Sequence, residues 1–213
     1  VEAVHKAAGD AVIEEYTLLN ALPRDTADAH MAGSIHLDNL GNWILKPSEI
    51  THNLRYFLNN GTNTKNHAVT LGAGKPPKNF ETALATIISM LKNASGEIVG
   101  EQTVDYFNLF LAPFTKNLPP EEIKERMHLF LYNLEQTLSN EKAQPPLTLG
   151  LELVAPEFLK ETEATGTEGR VDGLYGDFEN ETRRLAAIML QLVIEESKER
   201  PVFNPSLVIK LRP

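Results

Sequence analysis

Apolar residues recur every three or four positions through most of the chain, which predicts a fold dominated by helices. The helical spacing is clearest over residues 3–22, 48–61, 80–92, 118–138 and 178–199, and a further helix is expected to begin at 100 and run through 111. Strand-like alternation or short apolar runs occur at residues 34–38, 147–153 and 207–211. Strands separated by helices predict a helix-rich α/β architecture.

Three short strands make a narrow sheet, so we expect part of the sheet to come from further chain or from a second subunit. The run at 207–211 is apolar throughout, which is typical of a buried parallel strand. Ser48 is a candidate cap for the helix over 48–61, which should stop at Asn59-Asn60-Gly61.

The densest group of polar side chains lies at residues 22–40. A proline at the first turn and a glycine just past the end predict a short helix from Pro23 to Gly33. An extended run follows, in which His36 and Asp38 point to one side. This pair could position a substrate phosphate or a ribose hydroxyl, or the two side chains could hold one another and the neighbouring backbone in place.

Two segments rich in glycine separate the helices. Residues 62–77 are expected to form a loop with one extended piece at Ala68–Leu71. Its Gly72-x-Gly74-Lys75 motif has no firm strand before it and two prolines after it, so it does not predict a phosphate loop. Residues 161–176 are expected to form a long loop or a loose hairpin.

Composition narrows the range of functions. The chain of 213 residues has a formal net charge of −9, which argues against general binding to nucleic acid. It contains no cysteine, which removes disulfides, thiolate ligands and thiyl chemistry from this segment. The histidines have no ligand spacing, so no metal site is predicted. Without a signal peptide or a long apolar run, we expect a cytoplasmic protein.

Several short motifs follow one another along nearly the whole chain. They are Leu18-Leu19-Asn20-Ala21-Leu22-Pro23, Ala29-His30-x-x-Gly33-x-Ile35-His36-x-Asp38-x-Leu40, Gly100-x-Gln102, Leu111-Ala112-Pro113-Phe114, Phe130-Leu131-Tyr132-Asn133-Leu134, Leu151-Glu152-Leu153-Val154-Ala155-Pro156-Glu157-Phe158-Leu159, Tyr175-Gly176-Asp177-Phe178 and Pro201-Val202-Phe203-x-Pro205. In their order and spacing, these motifs resemble one enzyme family, the anaerobic (class III) ribonucleoside-triphosphate reductases, which are glycyl-radical enzymes.

The resemblance implies that residues 1–213 are a single domain forming the first half of a ten-stranded α/β barrel, within a longer chain. It also implies a homodimer, reduction of ribonucleoside triphosphates for deoxyribonucleotide synthesis, and nucleotide effectors such as ATP. A glycyl radical would be installed by an activase that uses an iron–sulfur cluster and S-adenosylmethionine. The candidate substrate-binding residues are His36, Asp38 and Asn42, and no catalytic residue is assigned.

One feature departs from the family pattern. In relatives the radical cysteine follows shortly after the His-x-Asp-x-Leu motif, and here residues 41–48 contain no thiol. The Gly169–Gly176 segment imitates the glycyl-radical loop, but Leu174 stands where that loop has tyrosine. We therefore expect this chain to be inactive as it stands. The alternative is a non-catalytic nucleotide-binding or interaction module that keeps only the fold.

Overall fold

The fold is that of a computed structural model, which describes residues 2–62, 74–138 and 146–211. The extended piece expected at Ala68–Leu71 lies outside these residues. The helices are α1 (Glu2–Tyr16), α2 (Arg24–Met31), α3 (Leu54–Asn60), α4 (Phe80–Ser95), α5 (Phe107–Leu111), α6 (Pro120–Leu138), α7 (Glu157–Lys160) and α8 (Glu179–Ser197). The strands are β1 (Ile50–His52), β2 (Gln102–Val104), β3 (Leu147–Glu152), β4 (Glu163–Thr165), β5 (Val171–Leu174) and β6 (Ser206–Lys210).

The chain divides into two compact units. The first, which we call unit 1, comprises Val1–Glu49 and Glu97–Gly100. It contains α1, a π-helical turn at Thr17–Ala21, α2 and a 3-10 turn at Leu40–Asn42. The second, unit 2, comprises Ile50–Gly96 and Glu101–Pro213 and contains every strand of the described chain.

Unit 2 is built around a parallel sheet with the strand order β1-β2-β3-β6. Ile50 pairs with Gln102, Gln102 with Leu147, and Thr148 with Ser206. Helices connect successive strands, as parallel pairing requires. The predicted helix-rich α/β class is therefore confirmed, and so are the strands expected at 147–153 and 207–211.

The core of unit 2 lies where α4, α5, α6 and α8 pack against the sheet. Leu149 and Leu151 of β3 are fully buried together with Ile87, Leu109 and Met127 from three of the helices. The apolar spacing that predicted α4, α6 and α8 thus marks the faces buried in the core. Asn79 caps α4 through a reciprocal pair of hydrogen bonds with Thr82.

Strand β6 lies at one edge of the four-stranded sheet. It is parallel to β3, as expected, but Val208 and Ile209 are 46% and 41% exposed instead of buried. No described strand covers its outer side, which explains this difference. The segment 161–176 is expected to form either a long loop or a loose hairpin. It forms an antiparallel hairpin of β4 and β5.

Two predicted helix boundaries are wrong for one reason. The expected helix from 100 to 111 is β2 followed by α5, with Tyr106 in the left-handed region at φ 55°. Ser48 caps no helix, because Ile50 begins β1 and α3 starts only at Leu54. In both places three residues pair with a distant strand, and this long-range pairing outweighs local helical spacing.

The strand predicted at 34–38 does not form. Asn39 adopts a left-handed conformation at φ 56°, and no described strand pairs with the segment. Its backbone is instead held by the preceding helix: Ser34 N–H donates to Ala29 O at 2.9 Å, and Leu37 N–H donates to His30 Nδ1 at 3.1 Å. Gly33 ends α2 as predicted, with φ +74°.

Candidate functional site

A cleft in unit 1 brings the three predicted binding residues together. It has a volume of about 310 Å³, and His36, Asp38 and Asn42 all line it. The remaining lining residues belong to α1, to α2 and to the segment that follows α2, up to residue 41. They are Asp10, Glu14, His30, Leu37, Asn39, Leu40 and Gly41.

The segment at 38–43 folds back on itself and fixes Asp38. The carboxylate of Asp38 accepts two hydrogen bonds from Asn39, at 3.0 Å from its backbone N–H and at 3.3 Å from its amide. The carbonyl of Asp38 accepts a hydrogen bond from Trp43 Nε1 at 3.0 Å. Each carboxylate oxygen keeps further lone pairs, so Asp38 can still accept hydrogen bonds from a ligand.

The two imidazoles of the cleft lie close together. Their ring centroids are 5.7 Å apart, with an interplanar angle of 42°. His30 Nδ1 accepts the Leu37 N–H bond, so in this arrangement Nδ1 carries no proton and Nε2 carries the hydrogen of a neutral ring. His30 is therefore a positioning residue for the Leu37 backbone as well as a donor from Nε2. His30 is not among the binding residues that the sequence predicts.

Gly41 allows the 3-10 turn to lie directly on α1. A Cβ atom at this position would stand 2.9 Å from the Asp10 carbonyl and 3.0 Å from Asp10 Cβ. Thr17, which is fully buried, donates a hydrogen bond to Ile13 O at 2.8 Å and approaches Leu40 O at 3.4 Å. Any larger residue at 41 would force the turn and α1 apart and change the shape of the cleft.

The cleft is acidic. Asp10, Glu14 and Asp38 contribute three carboxylates, and neither lysine nor arginine lines it. Asp10 and Glu14 are not among the binding residues that the sequence predicts. Their spacing of four residues, which places both on one helix face, was the available signal. In the described part of the chain, no three acidic or histidine side chains are arranged to hold a metal ion.

A second polar cluster lies at the carboxyl end of the parallel sheet in unit 2. The Lys210 ammonium contacts Asp105 Oδ1, lies 3.8 Å from Glu152 Oε1, and sits 4.3 Å from the centroid of the Tyr106 ring. Glu152 is fully buried. Such edges commonly hold ligands in α/β proteins. Here the two carboxylates already enclose the ammonium, so the cluster ties β6 to the two inner strands.

Asn108 extends this cluster into the core. Its amide nitrogen donates to Glu152 O at 2.7 Å and to Thr182 O at 2.8 Å, and its amide oxygen accepts from Glu152 N–H at 2.9 Å. The Asn108 side chain thereby satisfies both the N–H and the C=O of Glu152, the last residue of β3. On that side of β3 the neighbouring strand β2 has already ended, so a side chain takes the place of a strand partner. Spacing alone could not find this role, because 44 positions separate the two residues.

Comparison with known proteins supplies the family. The sequence model of the anaerobic ribonucleoside-triphosphate reductases matches residues 1–213. The chain belongs to this family. The predicted family resemblance is thus confirmed, although none of the curated proteins compared with the chain matches it.

Solved structures of the reductase family share the fold. The anaerobic ribonucleotide reductase from Thermotoga maritima in complex with dATP and CTP is 17% identical, with a TM-score of 0.67 over 96% of this chain and 35% of that one. A structure of the same enzyme with dATP in its specificity site is 15% identical, with a TM-score of 0.68 over 98% of this chain and 36% of that one. The chain spans about a third of the length of these structures.

No helix in residues 2–62, 74–138 or 146–211 combines the length and the apolar character needed to span a bilayer.

Proposed function

We propose that residues 1–213 form the first half of a reductase barrel and that the unit 1 cleft binds the nucleoside part of a ribonucleotide. The observation that carries this proposal is that His36, Asp38 and Asn42 converge on one cleft of about 310 Å³. Family membership makes a ribonucleoside triphosphate the substrate class to test first.

The chemistry of the cleft favours a ribose or a base over a phosphate. Three carboxylates line it, and neither lysine nor arginine does. Carboxylates repel phosphate oxygens, but they accept hydrogen bonds readily from ribose hydroxyls and from exocyclic amines. Of the two roles open for His36 and Asp38, holding a ribose hydroxyl therefore agrees with the electrostatics of the cleft.

The uncovered outer edge of β6 supports the proposal that the sheet continues into a barrel. Val208 and Ile209 are apolar and half-exposed, and another strand added beside them would bury both and pair the free edge of the backbone. The matched reductase structures are about three times as long as this chain, which is consistent with further strands elsewhere. A homodimer, nucleotide effectors such as ATP and a cytoplasmic location complete the proposal.

The residues present do not fit the radical chemistry of the family. The reaction requires a thiyl radical, and the sequence contains no cysteine. Gly173 lies in β5 of a hairpin, and Leu174 stands where the glycyl-radical loop has tyrosine. These residues cannot carry the radical step, and we infer that the chain alone is inactive. A glycyl radical and the activase that installs it would act on another segment.

Calorimetric titration with cytidine, CTP and dATP tests the cleft. Cytidine and CTP should bind with dissociation constants within about threefold of each other, because the phosphates gain nothing from an acidic cleft. Asp38→Asn should weaken binding of cytidine by about fivefold or more, since a charged acceptor is replaced by a neutral amide. His36→Ala and Asn42→Ala should weaken it as well.

Asp25→Asn is the matched control. Asp25 also belongs to unit 1, and it likewise accepts a hydrogen bond from the next backbone N–H, at 3.0 Å. Tight CTP binding without cytidine binding would contradict the nucleoside assignment. If no nucleotide or nucleoside bound at millimolar concentration, the alternative of a non-catalytic module that keeps only the fold would replace the proposal.

A further inference from the structure

Two adjoining depressions lie between α6, α8 and the segment 201–205 of unit 2, and we call them together the α6–α8 groove. The first has a volume of about 310 Å³ and the second about 530 Å³. His128, Leu192 and Glu196 line both, so the two form one continuous surface. None of the residues proposed for nucleotide binding belongs to it.

The first depression presents aromatic side chains to solvent. Phe203 is 84% exposed and Tyr132 is 58% exposed, beside a wall that includes Leu131 and Val193. Exposed aromatic rings beside a concave apolar wall are characteristic of protein interfaces. Proline residues flank Phe203 at 201 and 205, and they restrict the backbone that presents it.

The segment is also tied to the sheet through a side chain. Asn204 Oδ1 accepts a hydrogen bond from Leu147 N–H at 3.0 Å, at the first residue of β3. Phe203 is therefore held out by a segment with little freedom to fold it away. A rigid apolar anchor loses little conformational entropy when it binds.

The second depression is strongly acidic. Six glutamates line the whole groove against two basic side chains, a net charge of −4. They are Glu121, Glu125, Glu135, Glu195, Glu196 and Glu199.

Both cations are already engaged with these carboxylates. Lys124 Nζ lies 2.8 Å from Glu195, and Arg200 lies 2.7 Å from Glu196 and 3.5 Å from Glu135. The hydrogen bond from Lys124 lowers the pKa of Glu195 and so favours its ionised form.

The other three glutamates of the groove give its surface most of its negative charge. Among the described residues, Glu121, Glu125 and Glu199 take part in no ion pair. They surround the end of the groove away from Phe203, so the surface changes from apolar to acidic along its length. A negative potential at one end favours a positively charged partner and orients it.

We propose that the α6–α8 groove binds a basic amphipathic segment of another protein, with an apolar side chain against Phe203 and Tyr132 and lysine or arginine side chains over the glutamates. An amphipathic helix is the form that suits a groove between two helices. The charge of the groove argues against the same face of a second copy as its occupant, since two acidic surfaces would repel each other. It also disfavours nucleic acid.

Fluorescence anisotropy with a labelled peptide tests the proposal on the intact chain. The probe is a lysine–leucine peptide of about 14 residues, long enough for roughly four helical turns. A glutamate–leucine peptide of equal length is its control. The lysine peptide should bind, should lose about tenfold in affinity between low and high salt, and should bind far better than the glutamate peptide.

Two variants locate the binding surface. Combined Glu125→Lys and Glu199→Lys changes should weaken the lysine peptide by about tenfold or more, and Phe203→Ser should weaken it by about tenfold. All three side chains are exposed, so folding is not at risk. Glu161→Lys is the matched control, because it reverses an exposed charge of unit 2 that does not line the groove.

Three outcomes would overturn the proposal. Equal binding of the lysine and glutamate peptides would remove the role of charge. Equal weakening by Glu161→Lys would make the effect a property of the whole surface. Self-association of the chain that Phe203→Ser abolishes, seen by sedimentation, would assign the groove to a second copy instead.

Discussion

The two units use their apolar residues in opposite ways. In unit 2 the apolar faces of the helices are buried against the sheet. In the described part of unit 1, only Ala27, Leu40 and Ile98 are buried apolar residues. An apolar stripe runs along α1 and the turn after it, and every residue of this stripe is exposed: Val4, Ala8, Val12, Tyr16 and Leu19. An apolar stripe therefore predicts that a helix forms but does not say which surface covers it.

The strongest test of this contrast uses one substitution in both units. Leu149→Ala removes a fully buried side chain of β3, whereas Leu19→Ala removes one that is 73% exposed. The first should lower the free energy of unfolding by about 2–5 kcal/mol, through lost burial and a new cavity. The second should change it by less than about 0.5 kcal/mol.

Urea unfolding followed by circular dichroism gives both values. Trp43 is the only tryptophan and lies in unit 1, so its fluorescence reports that unit separately. An equal loss from Leu19→Ala would break the contrast, because it would show that a second copy or another surface covers α1 in solution.

A smaller difference is expected for a pair of asparagines. Asn108→Ala leaves the backbone groups of Glu152 and the Thr182 carbonyl in the core without the partners that Asn108 supplies, which should cost about 2–4 kcal/mol. Asn20→Ala in unit 1 removes one exposed hydrogen bond to Tyr16 O at 3.2 Å and should cost under about 0.5 kcal/mol. The same denaturation curves compare them, and similar losses would contradict the assignment of Asn108.

The smallest effect depends on pH. Burial in unit 2 lowers the pKa of His52 below its ordinary 6.5, against the opposing effect of its 2.8 Å hydrogen bond with Gln102. Below pH 6.5 the unfolded chain binds a proton that the folded chain resists, so stability falls as pH falls. The loss cannot exceed about 1.4 kcal/mol per pH unit for one proton.

Unfolding curves at a series of pH values between neutral and mildly acidic check this. His52→Gln should flatten the pH dependence even if it lowers stability at every pH. An unchanged slope would mean that His52 is not the group responsible.

Local pattern predicted the long elements well and the short ones poorly. The helices α4, α6 and α8 and the strand β3 contain enough periodic positions to be identified without their neighbours. Strands β1 and β2 have only three residues each and exist because they pair with each other. The residues that pair to form these two strands are about 50 positions apart in the sequence, so a local pattern does not reveal them.

The site shows the same limit. His36, Asp38 and Asn42 are close in sequence, so one short segment could suggest all three. Asp10 and Glu14 belong to a separate helix, and the contacts of Gly41 with Asp10 and of Leu40 with Thr17 place that helix beside the segment. The spacing of Asp10 and Glu14 indicates that they share a helix face, but the sequence does not place that face beside residues 36–42, so the acidity of the cleft could not be predicted.

The exposed edge at β6 also has a consequence for handling the protein. A strand whose outer edge no described strand covers, with Val208 and Ile209 half-exposed, is a template for strand addition by any extended chain, including an unfolded copy. Lys210 is the one charged residue in this strand, and it is held by Asp105. Aggregation at high concentration should therefore begin at this edge, and it should worsen if the charge at Lys210 is removed.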